Sequence, residues 1–95
     1  MKTRTQLSLG NDGLFSRLRE LGFVIVPTIT KRISVPSGGH AIGKSYPIGD
    51  GEMICTPTGH VFLFNQSGEL ITDQLVYNED GMERIVDGIC ERWTP

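Results

Sequence analysis

The chain has 95 residues and a formal net charge of −2, and a chain of this length fits one domain spanning residues 1–95. Hydrophobic residues make up 38% of the chain and charged residues 21%, a balance that argues against a disordered polyelectrolyte. No run of about 18 apolar residues occurs, and no apolar stretch follows the basic N-terminus, so neither a membrane helix nor a secretory signal is expected. Together these features predict a soluble, cytoplasmic protein.

The small net charge conceals a difference between the two parts of the chain. Residues 1–44 carry seven basic and two acidic side chains, whereas residues 45–95 carry two basic and nine acidic ones. Such asymmetry is typical of a chain with an acidic or basic interaction surface. The alternative is that the two parts interleave in the fold and that their fields cancel, since the Debye length is only about 8 Å.

The first predicted element is a short amphipathic helix. Residues 1–10 show no clear period and are predicted to be a flexible tail or an edge strand. A helix is predicted over residues 12–21 because apolar side chains recur there at helical spacing, namely Leu14, Phe15, Leu18 and Leu21. Residues 11–13 (Asn-Asp-Gly) offer N-caps. Gly22 followed by Phe23 matches the Schellman ending of a helix.

The next segment mixes strand and loop signals. Residues 23–26 are β-branched and apolar and predict a buried strand, which Pro27 confines to an edge or a bulge. Residues 28–35 continue the alternation of apolar and polar side chains. Residues 36–51 are glycine-rich and predict a flexible hairpin loop, within which a short strand can form; the glycines are Gly38, Gly39, Gly43, Gly49 and Gly51.

Two copies of one turn pattern predict an antiparallel meander. Residues 56–59 (Thr-Pro-Thr-Gly) and 65–68 (Asn-Gln-Ser-Gly) each fit a type I turn followed by a left-handed glycine. The strands are then expected at about residues 52–56, 60–64 and 69–73.

The turn type also fixes which residues lie opposite each other. Ile54 is expected opposite Phe62, Phe64 opposite Leu70, and Phe62 opposite Thr72. One face of the sheet then carries the apolar residues Ile54, Phe62, Phe64 and Leu70. The other face carries Met53, Cys55, Val61, Leu63 and Ile71. Because both faces of the central strand are apolar, both need a cover. On the second face we expect the N-terminal tail and the glycine loop, or another chain.

The last element is an amphipathic helix that begins near residues 78–80 (Asn-Glu-Asp), where acidic side chains suit the helix dipole. Its apolar stripe contains Met82, Ile85, Val86, Ile89, Cys90 and Trp93. The predicted fold is therefore α+β: a short N-terminal helix, an antiparallel β-meander of four to five strands, and a C-terminal helix packed on the sheet.

The glycine-rich stretch contains a sequence match to a phosphate-binding loop at residues 38–45. Such a loop must open a helix whose N–H groups hold the phosphate, but Pro47 and two glycines follow it here. We therefore expect no nucleotide hydrolysis. A weaker alternative stays open, in which the stretch 36–51 binds an anion or small ligand through Gly38, Gly39, His40, Gly43, Lys44 and Ser45.

No catalytic residues, cofactor or metal site are predicted, so the protein is not expected to be an enzyme. Among the plausible soft metal ligands only Cys55 and His60 are closely spaced, and the predicted register points them to opposite faces. The same geometry argues against a Cys/His nucleophile pair. Both Cys55 and Cys90 are predicted to be buried free thiols. No pair of carboxylates lies in an evident apolar pocket.

The clearest candidate surface is on the last helix. Glu83, Asp87 and Glu91 recur at i, i+4 and i+8, with Arg84 beside them. Such a row either docks on a basic partner or is an ordinary solvated face. The leading hypothesis is a small non-enzymatic protein-binding module, an adaptor or inhibitor of a larger protein, with self-association as a homodimer as one form of it. Its size and mixed charge suit an accessory protein of a phage or mobile element.

A second alternative is nucleic-acid binding through the basic part of the chain. The candidate residues are Arg17, Arg19, Lys31 and Arg32. Few aromatic side chains are free for base stacking, and the chain is acidic overall, so nucleic acid is the less favoured partner.

Overall fold

The computed structural model describes residues 10–95. In this part the elements, in chain order, are α1 (Gly10–Glu20), β1 (Thr30–Ser34), β2 (His40–Ile48), β3 (Gly51–Cys55), β4 (His60–Phe64), β5 (Leu70–Leu75) and α2 (Glu79–Arg92). The strands form one antiparallel sheet in the order β1-β2-β3-β4-β5. The α+β prediction is confirmed. The prediction for residues 1–10 lies outside the described residues, except that Gly10 begins α1.

Both helices pack on one face of the sheet, which we call the helix face. The core there joins residues of both helices to alternate residues of β2, β3 and β4: Leu14, Leu18, Tyr46, Ile48, Met53, Cys55, Val61, Leu63, Ile85, Val86, Ile89 and Trp93. Burying one such side chain contributes roughly 1.5–3 kcal/mol. The face predicted for Met53, Cys55, Val61 and Leu63 is therefore confirmed. Neither helix of the described part, at 11 and 14 residues, is long and apolar enough to cross a membrane.

The start of α1 differs from the prediction. The expected cap residues 11–13 lie inside the helix, because it begins at Gly10. The Asn11 amide instead donates a hydrogen bond of 2.6 Å to the carbonyl of Thr56. This side chain therefore ties α1 to the turn between β3 and β4.

The other helix boundaries follow the sequence signals. At the end of α1, Gly22 N–H donates to the carbonyl of Arg19 and Phe23 N–H to that of Leu18, both at 3.0 Å, which is the predicted Schellman pattern. At the start of α2, the Asn78 side chain accepts from the N–H of the third helical residue at 2.8 Å. Both predicted caps are confirmed.

The strand predicted at residues 23–26 does not form. Phe23 and Ile25 are buried, whereas Val24 and Val26 are exposed, so the alternation is present without a ladder. Backbone hydrogen bonds to β2 begin only at Thr28, whose N–H donates to the carbonyl of Ser45 at 2.8 Å, so residues 23–26 contribute alternate side chains to the core and no ladder.

The same turn occurs three times along the meander, at residues 35–39, 56–60 and 65–69. In each turn the N–H of the first residue donates to the carbonyl four residues later, and the glycine N–H donates back, at 2.9–3.1 Å. Gly59 and Gly68 have φ values of 95° and 86°, the left-handed conformation that this turn requires. The two predicted turns are confirmed, and the turn at residues 35–39 is an addition.

The glycine-rich stretch is mostly a strand and not a loop. β2 runs through His40–Ile48, and the open part of the hairpin is confined to residues 36–39. The short strand that we allowed within this stretch is nine residues long. Because β2 pairs with β1 on one side and with β3 on the other, its backbone has little of the conformational freedom expected of a glycine-rich loop.

The predicted register is correct for β3–β4 and wrong for part of β4–β5. Ile54 lies opposite Phe62, and Phe64 lies opposite Leu70, as expected. Phe62, however, lies opposite Asp73 instead of Thr72, because a bulge shifts the register between Leu63 and Phe64.

The second face of the sheet is partly covered by the β1–β2 hairpin. Ile54 and Phe62, at 0% and 1% exposure, are as buried as the helix-face core. The hairpin turn places Val35 and Pro36 beside a cavity of about 380 Å³ that Phe62 also lines. The expected cover by the glycine-rich segment is thus provided by a hairpin, while the expected contribution of the tail lies outside the described residues.

Candidate functional site

The outer face of α2 carries Glu83, Asp87 and Glu91, which we call the acidic row. Helix geometry places successive members one turn, about 6 Å, apart. All three are exposed, as is Arg84 beside them, because the opposite side of the helix is buried in the core. No ion pair among residues 10–95 involves a member of the row. The structure therefore presents the four residues predicted for partner binding together at one solvent-facing surface.

Arg17 lies next to one end of the acidic row. It lines a cleft of about 240 Å³ between the two helices together with Glu83 and Asp87. The ion pair that Arg17 makes is with Glu20, at 3.6 Å and largely exposed. A basic side chain of the first half thus lies beside acidic side chains of the second half, so the two parts of the chain interleave here.

The four residues predicted for nucleic-acid binding do not form one surface. Arg17 lies in the cleft beside the acidic row. Lys31 reaches Glu52 at 2.7 Å, an ion pair made across β2 on the second face of the sheet. Arg19 and Arg32 are exposed, and neither forms an ion pair with a carboxylate among residues 10–95. Arg17 and Lys31, two of the four predicted residues, therefore each form an ion pair with a carboxylate, and the two pairs are on different elements.

The residues predicted for anion binding lie along a strand. Gly38 and Gly39 belong to the hairpin turn, whereas His40, Gly43, Lys44 and Ser45 belong to β2. Gly43 and Ser45 are buried, and Lys44 is exposed on the opposite face of the strand. A phosphate cradle needs consecutive N–H groups directed at one point. The alternating N–H groups of a paired strand do not provide this.

A half-buried polar group joins three strands on the second face. The Ser45 hydroxyl donates to the carboxylate of Glu52, which also accepts from the Lys31 ammonium. Burial by itself would raise the pKa of Glu52, but the hydrogen bonds from Lys31 and Ser45 and the lysine charge together lower it below the usual value. The group therefore favours the ionised carboxylate and ties β1, β2 and β3 together.

This group predicts a dependence of stability on acid. Because the folded pKa of Glu52 is lower than the unfolded one, its contribution is present above the usual glutamate pKa of about 4.3 and is lost as the pH falls through the folded value. We expect Glu52→Gln to be less stable than the wild type at pH 7 and to lose less stability on acidification. Urea midpoints at neutral and acid pH measure this, with Glu69→Gln, an exposed carboxylate, as control. An unchanged acid dependence in Glu52→Gln would contradict the prediction.

A second polar group lies in the cavity under the β1–β2 hairpin. His60 Nε2 is 2.6 Å from a carboxylate oxygen of Asp73, and the imidazole stacks on Phe62 with the ring centroids 4.2 Å apart. Ser37 and His40 line the same cavity from the hairpin. This pair is not predictable from the sequence, because the bulge that moves Asp73 onto the face of His60 has no sequence signal.

The cavity contains a serine, a histidine and an aspartate, the residue types of a catalytic triad, but the hydrogen bond between serine and histidine is missing. A catalytic serine must be hydrogen-bonded to its base. No hydrogen bond joins Ser37 to His60 in the part of the chain that the structure describes. The His60–Asp73 pair instead bridges β4 and β5, which are neighbouring strands, so its visible role is structural.

The cysteines and histidines do not gather into a metal-binding group. Cys55 belongs to the helix-face core, while His60 and Phe62 lie on the second face, so the predicted separation of Cys55 and His60 is confirmed. No cluster of three or more metal-ligating side chains occurs among residues 10–95. Both cysteines are free thiols, Cys55 being buried and Cys90 half-buried. Burial raises the pKa of Cys55 to about 12, which keeps it protonated and unreactive.

Comparisons of the chain with protein-family models, with curated proteins and with solved structures found no match.

Proposed function

We propose that the protein is a small non-enzymatic protein-binding module, an adaptor or inhibitor that docks on a basic surface of a larger protein through the acidic row. The observation that carries this proposal is the row itself. Three exposed carboxylates lie on one helix face without an ion-pair partner among the described residues. Like charges at this spacing destabilise a helix by about 0.2–0.5 kcal/mol per pair, a cost that a basic partner relieves on binding.

A polar groove extends the surface beyond the end of the acidic row. It has a volume of about 470 Å³ and lies between the end of α2 and the β4–β5 turn, with Glu91 and Arg92 on one side and Asn65, Gln66 and Ser67 on the other. Amide and hydroxyl groups beside carboxylates supply hydrogen bonds to a basic peptide segment. The groove therefore adds specificity to the charge attraction that the row provides.

We place this activity in the cytoplasm. Two free thiols that are not joined to each other fit a reducing compartment, in which disulfides are rare.

The test is capture of binding proteins with matched charge variants. We expect Asp87→Lys with Glu91→Lys to weaken binding by about tenfold or more, equivalent to about 1.4 kcal/mol, because attraction becomes repulsion. The control is Asp12→Lys with Glu20→Lys, which makes the same change in net charge at two exposed positions of α1. Affinity purification with wild type and both variants, followed by titration of each captured protein, measures the effect. Partners that bind all three proteins equally would exclude the acidic row as the docking surface.

A further inference from the structure

A basic surface lies on the part of the helix face that the helices leave uncovered. Tyr46 and Ile48 of β2 are buried beneath the helices, whereas Lys44 and Ile42, which share their face by strand alternation, are exposed. On β1, Arg32 lies directly opposite Ile42 and is also exposed. The first part of the β1–β2 hairpin therefore presents an uncovered sheet face.

Arg19 continues this surface from α1. Its guanidinium carbon lies 5.9 Å from the centre of the Phe15 ring, and that ring packs on Tyr46 with the centroids 4.7 Å apart. We call Arg19, Arg32, Ile42 and Lys44 the basic shelf.

We infer that the basic shelf binds the acidic row of a second copy of this chain, so that the protein forms a symmetric dimer. This inference rests on the proposed function, because it uses the acidic row as a binding surface. Lys44 and Arg32 are diagonal cross-strand neighbours, about 7–8 Å apart, and Asp87 and Glu91 are one helical turn, about 6 Å, apart. Because the two spacings are similar and lysine and arginine side chains are long, Lys44 and Arg32 of one copy can reach the carboxylates of Asp87 and Glu91 of the other.

The placement of the two surfaces favours a closed dimer. The acidic row points outward from the helix layer, and the basic shelf faces the same side of the sheet. Two copies related by a twofold axis, with their helix layers facing each other, make the contact between basic shelf and acidic row twice. The net charge of −2 opposes such pairing only weakly.

The composition of the basic shelf favours a protein partner over a nucleic acid. Ile42 is 57% exposed in the middle of the cations, and an apolar side chain there gains from contact with protein. The chain is also acidic overall, with a net charge of −2. Nucleic-acid surfaces need a strong positive field.

Charge-swap variants test the inference. The shelf variant carries Arg32→Glu and Lys44→Glu, and the row variant carries Asp87→Lys and Glu91→Lys. We expect sedimentation velocity to show a wild-type dimer that weakens as salt rises to about 1 M, where the Debye length is about 3 Å. Each variant alone is expected to associate at least tenfold more weakly, since its two surfaces have the same sign. An equimolar mixture is expected to recover the dimer, because both contacts become attractive again between unlike copies.

Several outcomes overturn the inference. These are a wild type that stays monomeric at low salt, variants that dimerise as well as the wild type, and a mixture that does not recover association. Binding of a single-stranded oligonucleotide by the wild type but not by the shelf variant would also overturn it, because the basic shelf would then take phosphate. If the wild type is monomeric while other proteins still require Asp87 and Glu91, the inference fails and the proposed function stands.

Discussion

Replacing Gly81 by alanine is expected to destabilise the protein by about 2 kcal/mol, although alanine is the better helix former. Gly81 lies in the first turn of α2, and a Cβ there would overlap the carbonyl oxygen of Leu75. Overpacking costs typically 1–3 kcal/mol, and the upper end applies because a backbone carbonyl cannot rotate away. The gain in helix propensity, about 1 kcal/mol, offsets part of it.

Gly88→Ala in the same helix is the matched control. A Cβ at Gly88 meets nothing within 4 Å, so only the gain in helix propensity remains, and we expect a stabilisation of about 0.5–1 kcal/mol. Thermal unfolding measures both changes, at about 4–8 °C per kcal/mol for a domain of this size. Equal shifts of the same sign for the two variants would show that α2 does not press against the end of β5 at Gly81.

Replacing Phe62 by alanine is expected to have the larger effect, about 3–5 kcal/mol, on the free energy of unfolding. The ring is 1% exposed and supports the stacked imidazole of His60. Total stabilities of such domains are about 5–15 kcal/mol, so this one change is expected to leave the fold marginal. The prediction therefore tests whether the β1–β2 hairpin makes the second face a true core.

Phe64→Ala is the comparison for Phe62→Ala, since Phe64 is on the same strand and face but only half-buried. We expect it to cost clearly less, because part of its ring is already in water. Urea unfolding of both variants measures the difference. Equal costs for the two residues would contradict the closed second face and would indicate that the hairpin does not cover it.

The sequence was most informative where local chemistry and tertiary structure agree. The pattern of turns at residues 56–59 and 65–68 predicted three strands and most of their register, because this turn type leaves one way to pair the flanking residues. The caps at Gly22 and Asn78 were equally predictable, since each satisfies backbone groups within a few residues.

The errors arose where long-range packing decided the outcome. Residues 23–26 have the composition of a strand, but they pack Phe23 and Ile25 into the core without pairing with any strand of the sheet. The glycine content of residues 36–51 concealed the longest strand of the sheet, which runs through residues 40–48. One signal was overlooked: residues 35–38 (Val-Pro-Ser-Gly) repeat the pattern of residues 56–59, and this repeat marks the start of β2.

The candidate surface was predictable in its residues and unpredictable in its surroundings. Helical spacing alone places Glu83, Asp87 and Glu91 on one exposed face. The proximity of Arg17 to that face depends on how α1 packs on α2, and the ion pair between Lys31 and Glu52 depends on β1 and β3 lying on either side of β2. The partners in each of these contacts are far apart in the sequence, so no local sequence pattern predicts that they meet.

The meander order has a consequence for how the chain reaches this structure. Every strand pairs with its neighbour in sequence, so each hairpin can close over a short loop at a small cost in entropy. The packing of α1 on α2, in contrast, joins the two ends of the described chain. Low contact order within the sheet favours rapid folding, and closure of the helix layer is the step that must bring distant segments together. The topology thus comprises four local hairpins and one long-range contact between the helices.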